Sequence, residues 1–243
     1  MNEALPPPPA DLIDGASLYL DFDGTLVEIA ETPDGVVVEP LVPDLVAALT
    51  VRLGGRLALI SGRAIDGLAA MVPVPGLPIS GSHGVETRWA DGRRDGPDRA
   101  EGLDAAIAEM TAFAGGRQGV LVEEKPFGVA LHYRGDPEAK TDAHALVAGL
   151  AERTGLDVQT GKMVVELRPA GVDKGHALRR LHAANPFAGH DPIFVGDDDT
   201  DEAAFVAATA LGGCGILVGP ARATAARYRL DDVTAVRRWL KGA

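Results

Sequence analysis

A chain of 243 residues, 46% of them hydrophobic, is long enough to bury one large or two modest cores, and its composition is not that of a disordered tail. A formal net charge of −12 argues against nucleic acid and anionic membrane surfaces as partners, because neither finds a dense basic patch here. The lone Cys214 makes no internal disulfide and no Cys/His set suits zinc. The first residues show no basic segment followed by an apolar run, and no stretch reaches the roughly 18–20 apolar residues of a membrane span. A cytoplasmic protein is therefore expected.

In chain order, residues 1–15 carry the run "PPPP" and read as a flexible Pro-rich extension. Short apolar runs then alternate with helical patterns: "SLYLDF", helix "LVPDLVAALTVRL", "RLALISGR", a short helix through "AIDGLAAM", and "LPISGSHG". The same rhythm returns after residue 172 with helix "DKGHALRRLHAA", strand "DPIFVGDD", helix "DEAAFVAATAL", strand "GILVG" and a closing helix "DVTAVRRWLK" anchored by Trp239. Between them lie helix "GLDAAIAEMTAFA", strands "GVLVEEK" and "GVALHYR", helix "PEAKTDAHALVAGLAERTG", and strands "LDVQT" and "MVVELRP". The pattern predicts an α/β core of parallel strands with helices on both faces over 1–99 and 172–243, and an inserted α+β cap over 100–171.

In a parallel sheet of this kind, chemistry gathers at the carboxyl ends of the strands. Three apolar runs end there in polar groups: "LYL" at Asp21, "LALI" at Ser61, and "IFV" at Gly196 before Asp197, Asp198 and Asp199. Each fragment alone fits a turn or a helix cap. Together they bring at least three carboxylates to one sheet edge, which calls for a cation, and an oxygen-only ligand set suits Mg²⁺. Lys174 follows a plausible N-cap, Asp173, where a bound phosphate would accept both the helix amides and the ammonium. Nucleophile, cation, hydrogen-bond donors and proton source are what phosphoryl transfer to a carboxylate needs. "GLDVQTGKM" is not a P-loop: five residues separate its glycines and Met163 stands where Ser or Thr belongs. His144, His176, His182 and His190 lack a paired ligand motif and are expected at surface or boundary positions.

The motifs "DFDGTL", "SGR", "DKG" and "GDDDTDE" resemble, in order, the four motifs of the haloacid dehalogenase (HAD) superfamily of aspartyl-phosphate phosphatases. The resemblance implies an HAD-like Rossmannoid core with Asp21 as nucleophile and Asp23 as the group that protonates the leaving oxygen and then activates water. It implies Ser61 and Lys174 on the phosphoryl oxygens, and Mg²⁺ held by Asp21, the Asp23 main-chain carbonyl and Asp197. Thr25 would steady the loop through its hydroxyl and N–H.

Strand periodicity puts Glu123 and Lys125 on one face of their strand, His132 and Arg134 on one face of the next, and Lys162, Val164, Glu166 and Arg168 together on a third. Such charged faces are either solvated or suited to sugar hydroxyls, which need donors and acceptors alike. The wider set "GSHG", "ExK" followed by "LHYR", "GKxVVELRPxGxDKG" and "GDDxTDE" is similar to the trehalose-6-phosphate phosphatases over nearly the whole chain after the proline run. That resemblance implies a C2-type cap closing over a disaccharide phosphate, with Glu123, Lys125 and Glu166 on the distal glucose. Arg63, His83, Arg134 and Asp198 would be supporting contacts, Lys162 a weaker one, and the synthase that makes trehalose 6-phosphate a functional partner. Asp199 stands where many relatives carry an uncharged residue. Sucrose 6-phosphate, glucosylglycerol phosphate or a non-catalytic sugar-phosphate sensor are the alternatives.

Overall fold

The computed structural model describes residues 5–30 and 35–242, in two units: one runs up to Asp95 and resumes at Asp173, the other is Gly96–Val172. In chain order the first contributes β1 (Ser17–Leu20), α1 (Leu41–Arg52), β2 (Leu57–Ile60), α2 (Ile65–Met71), β3 (Ile79–Gly81), β4 (Glu86–Arg88) and β5 (Arg94–Asp95). The second holds α3 (Leu103–Gly115), β6 (Leu121–Lys125), β7 (Gly128–His132), α4 (Lys140–Thr154), β8 (Asp157–Gly161) and β9 (Val164–Arg168). The chain returns to the first with α5 (Lys174–His182), β10 (Pro192–Gly196), α6 (Glu202–Ala210), β11 (Cys214–Val218), β12 (Tyr228–Leu230) and α7 (Val233–Lys241).

Strands that are apolar on both faces need cover on both faces. The first unit's sheet has the order β12-β11-β10-β1-β2-β3-β4-β5, parallel through β3 and antiparallel over the last two strands. On one face Leu18, Leu20, Leu57, Leu59, Ile193 and Val195 pack with residues of α1, α2 and α7, including Val46, Leu68 and Trp239. On the other, Tyr19, Ala58, Ile60, Phe194 and Leu217 meet Leu178 and Leu181 of α5 and Phe205 of α6. Strands β4, β5 and β12 escape sequence expectation because two or three residues cannot display a period. β4 and β5 are instead fixed by the turn in which the Trp89 amide donates to the Arg93 carbonyl (2.8 Å).

The second unit is an antiparallel sheet, β6-β7-β9-β8, with Val129, Leu131, Val165 and Leu167 buried, and Val122 half-buried, against Leu103, Met110, Val147 and Leu150 of α3 and α4. Its register sets Glu123 opposite Ala130, Ala130 opposite Glu166 and Glu166 opposite Gln159, so these share one row of the other face. Two expectations are corrected: β7 ends at His132, leaving Arg134 exposed in the following turn, and Lys162 lies in the β8–β9 turn rather than on a strand face. Met163 adopts φ 63° to close that turn.

The flexible extension expected over 1–15 is also corrected; residues 1–4 lie outside the described residues, and the rest is fastened down. The Arg229 amide on edge strand β12 donates to the Pro6 carbonyl (3.0 Å) and the Trp239 indole to that of Pro9 (2.9 Å), while Pro8 and Ile13 are buried. A proline run accepts such bonds while offering no N–H for a further strand to extend the edge. Among the described residues no helix is long and apolar enough to cross a membrane. Deleting residues 1–9 is expected to cost about 2–3 kcal/mol from two hydrogen bonds and the buried proline. The melting temperature should fall by roughly 4–10 °C; an unchanged melting temperature would contradict these contacts.

Candidate active site

Strands β10, β1 and β2 are adjacent and parallel, so the residues just past their carboxyl ends, Asp197, Asp21 and Ser61, emerge side by side. The Asp21 amide donates to the Val195 carbonyl (2.9 Å), which continues the ladder to the first carboxylate. There the chain turns: the Phe22 carbonyl accepts from the amides of Leu26 (2.8 Å) and Val27 (3.1 Å), and Gly24 adopts φ +78°. A Cβ at Gly24 would overlap the Asp197 carboxylate, so glycine lets the acidic loop after β10 lie directly against the loop after β1.

Lys174 opens α5 behind the N-cap Asp173, whose Oδ1 accepts from the His176 amide (2.7 Å). It is not a solvated lysine: at 3% exposure its Nζ lies 3.0 Å from Asp21 Oδ1 and 2.7 Å from Asp201 Oδ1. Asp201, fully buried, also accepts from the amides of Asp197 (2.8 Å) and Asp198 (3.0 Å) through Oδ2. Asp198 caps the short 3₁₀ turn Asp199–Asp201 by accepting from the Thr200 amide (2.8 Å) and hydroxyl (2.6 Å). Arg222 braces this loop from outside, donating to the Asp198 carbonyl (2.7 Å) and pairing with Glu202. Asp199 is exposed, 3.5 Å from Arg222.

The electrostatics are lopsided. Carboxylate oxygens of Asp21, Asp197 and Asp201 lie within 4.8 Å of one another, and Lys174 is the ammonium among them. Burial, with repulsion from Asp201, Asp197 and Asp198 outweighing the pull of Lys174, pushes Asp21 well above the usual carboxylate range. Burial, Asp201 and Asp198 push Asp197 up to about 7; burial and Asp198 push Asp201 up to about 6 against Lys174. Burial alone would raise Asp198, but Lys174, Thr200 and His83 hold it low. Burial alone would lower Lys174, but Asp201 and Asp21 raise it above the lysine range, so the ammonium stays charged. Three carboxylates facing one ammonium, those of Asp21 and Asp201 buried and that of Asp197 half-buried, fit a hard cation. The Thr25 hydroxyl, buried in the same loop, has no hydrogen-bond partner among the described residues, whereas the Thr25 amide donates to the Phe22 carbonyl (3.3 Å). Hence it is Phe22, not the Thr25 hydroxyl, that steadies the loop.

The Asp23 carboxylate points elsewhere. Arg63 grips it in a bidentate pair, Nε to Oδ2 at 2.7 Å and Nη2 to Oδ1 at 2.8 Å. Ser61 Oγ accepts from the Arg63 amide (3.2 Å), which leaves the hydroxyl proton to donate outward. The His83 amide donates to the Ser61 carbonyl (2.9 Å), placing His83 beside this loop. The site thus brings together Asp21, Asp23, Thr25, Ser61, Arg63, His83, Lys174, Asp197 and Asp198 within the first unit.

In the second unit, Glu123, Lys125, His132 and Glu166 share the face opposite the helices. Lys125 Nζ pairs with Glu166 Oε2 at 2.7 Å, with side chains only 11% and 9% exposed. The Glu123 carboxylate pairs with His132 Nε2 at 2.9 Å.

Sequence reasoning missed Asp201 as the hub of the acidic loop. Its signal lay in the run "GDDDTDE", where spacing from Asp197 by four returns a side chain to the loop's own amides. Raised carboxylate pKa values mean that between about pH 4 and 7 the folded chain binds more protons than the unfolded one, so stability falls as pH rises through that window. In EDTA the protein is expected to lose on the order of 2 kcal/mol between about pH 5 and 8. Added Mg²⁺ should restore more at the higher pH. Thermal melts at both pH values check this, and a metal-free melting temperature that rises with pH would contradict it.

A family model described as trehalose-phosphatase matches residues 19–234. A probable trehalose-phosphate phosphatase of Sinorhizobium fredii is 41% identical over 210 residues, covering 86% of this chain and 79% of the relative. The trehalose-6-phosphate phosphatase of Escherichia coli is 36% identical over 227 residues, covering 92% and 84%. Among solved structures, a trehalose-6-phosphate phosphatase related protein superposes with a TM-score of 0.80 at 26% identity, covering 92% of this chain and 95% of that one. The C-terminal domain of the Candida albicans trehalose-6-phosphate phosphatase shares the fold, with a TM-score of 0.82 at 21% identity over 99% and 98%. With an HAD-like core and these relatives along nearly its whole length, the chain belongs to the trehalose-phosphatase family.

Proposed function

We propose that this chain hydrolyses trehalose 6-phosphate to trehalose and phosphate, with Mg²⁺ as its cofactor and an aspartyl-phosphate at Asp21. The observation that carries the reading is the Lys174 ammonium shared by Asp21 and Asp201 beside Asp197, with Asp23 held two residues on. Mg²⁺ is held by Asp21, Asp197 and the Asp23 main-chain carbonyl, with Asp201 beside them, and when bound it offsets carboxylate and phosphoryl charge.

Asp21 attacks phosphorus through a carboxylate oxygen while the bond from phosphorus to the sugar oxygen breaks. Asp23 delivers a proton to that oxygen, because a sugar alkoxide is a poor leaving group; general acids contribute about 10²–10⁴-fold to such steps. Water then attacks the phosphoryl group, Asp23 takes its proton, and the bond to Asp21 breaks to restore the carboxylate. Lys174 and the Ser61 hydroxyl hold phosphoryl oxygens, charge-assisted in the first case. Arg63 keeps Asp23 oriented between the two proton transfers, and His83 and Asp198 support the surrounding loops.

The sugar falls to the second unit. Desolvation of a buried ion pair can exceed its Coulombic gain unless further hydrogen bonds satisfy both groups, and Lys125–Glu166 beside Glu123 offers the mixed donors and acceptors that sugar hydroxyls require. On this reading Glu123, Lys125 and Glu166 grip the glucose distal to the phosphate, with Arg134 a peripheral contact, and the trehalose-6-phosphate synthase supplies the substrate. A single cysteine and a sugar-phosphate substrate fit a cytoplasmic location.

Phosphate release from trehalose 6-phosphate, sucrose 6-phosphate and glucose 6-phosphate, each with Mg²⁺ and with EDTA, tests the reading. A strong metal-dependent preference for the first is expected, and equal hydrolysis of all three would overturn the sugar assignment. Glu166→Ala should lower kcat/KM for trehalose 6-phosphate by about 10–100-fold, the worth of a charge-assisted hydrogen bond. An unchanged value would remove Glu166 from the sugar site.

A further inference from the structure

Glu86, at the start of β4, is a buried carboxylate that this mechanism does not use. Its Oε1 accepts two hydrogen bonds, from the Ile65 amide (3.0 Å) and from the Ser82 hydroxyl (3.1 Å). Ile65 closes the loop that carries Ser61 and Arg63; Ser82 opens the turn that carries His83. The two segments are further laced by the Ser82 amide donating to the Arg63 carbonyl (2.8 Å) and the His83 amide to the Ser61 carbonyl (2.9 Å).

That turn is unfavourable on its own. Ser82 and His83 sit at φ 50° and 57°, the left-handed region that a Cβ disfavours, so the surroundings must hold them there. Gly81 admits the holding group: a Cβ there would stand 2.8 Å from the Arg63 carbonyl oxygen and 3.0 Å from Glu86 Oε1. The chain of contacts runs from Glu86 to the loop ends, from the loop to Arg63, and from Arg63 through two bonds to Asp23.

We propose that Glu86 is a positioning residue for the reaction. One carboxylate oxygen locks the Ser61–Ile65 loop to the left-handed Ser82–His83 turn and thereby holds Arg63 where it orients Asp23. This rests on the reading of the chain as a phosphatase with Asp23 as proton donor. The role is geometric: an acceptor at the right reach is required, and the negative charge is not.

The test compares the Mg²⁺-loaded wild type with Glu86→Asp and Glu86→Gln on trehalose 6-phosphate and on 4-nitrophenyl phosphate, whose leaving group needs no proton. Glu86→Asp keeps the charge but is one methylene short of both donors. Its kcat/KM, which covers the steps through phosphorylation of Asp21 and leaves out the hydrolysis of the intermediate that both substrates share, should fall at least about tenfold on the sugar phosphate, within the range of a misplaced general acid, and less than about threefold on the aryl phosphate. Glu86→Gln, whose amide oxygen can accept both bonds, should stay within about threefold on each. Equal losses on the two substrates, no loss in Glu86→Asp, or a Glu86→Gln as impaired as Glu86→Asp would overturn the proposal. Should Glu86→Asp not fold, Ser82→Ala, which removes one donor, takes its place: a larger loss on the sugar phosphate than on the aryl phosphate supports the proposal, and equal losses or none overturn it. A wild type that releases no phosphate from either substrate removes the phosphatase reading and this proposal with it; an active wild type with an equally active Glu86→Asp removes this proposal alone.

Discussion

The rest of the site depends on one ammonium. Lys174, buried at the first position of α5, is shared between Asp21 and Asp201, and its pull favours the ionised form of both against their burial. Its placement at a helix N-terminus opposes the macrodipole, so the position costs stability unless anions surround it. The surrounding anions outnumber it, and that imbalance suits a hard cation. α5 and the acidic loop are tied together from both ends. Asp173 caps the helix that carries Lys174, and Asp201 folds the acidic loop onto its own amides.

Around this centre the loops are interlocked rather than merely adjacent. Gly24 leaves room for the Asp197 carboxylate against the turn that carries Asp23. Arg63 reaches from the loop after β2 to hold Asp23 in two bonds, a geometry that suits a guanidinium and that a lysine would not reproduce. Asp23 and Asp197 are therefore set by neighbours that follow different strands, which is how a parallel sheet converts strand order into a site. The second unit follows another logic: an apolar face packs on two helices while the opposite face concentrates charge, including a nearly buried Lys125–Glu166 pair.

Much of this was legible in the sequence because it lay in periodic or punctuated segments. The runs ending at Asp21, Ser61 and Asp197 showed their strands by length and apolar content, and the Asp-x-Asp and Gly-Asp patterns marked the turns. The two-residue period correctly grouped Glu123 with Lys125 and Glu166 with Arg168. What stayed hidden was set by tertiary contact. The burial of Lys174, the hub role of Asp201 and the Arg63–Asp23 pair depend on loops from separate strands meeting. The docking of the proline run depends on Trp239, some 230 positions away. Arg134 was misplaced because the period was carried past the end of its strand into a turn.

Covalent phosphorylation of Asp21 during turnover is the step on which the proposed reaction turns. Its most direct test is rapid acid quenching of the Mg²⁺-loaded protein during turnover of trehalose 6-phosphate, followed by borohydride reduction and peptide mass spectrometry. Residue 21 is expected to be recovered in part as homoserine, the reduction product of an aspartyl-phosphate, only when substrate was present. Turnover that leaves Asp21 unmodified at every quench time, with the label on another residue, would contradict it.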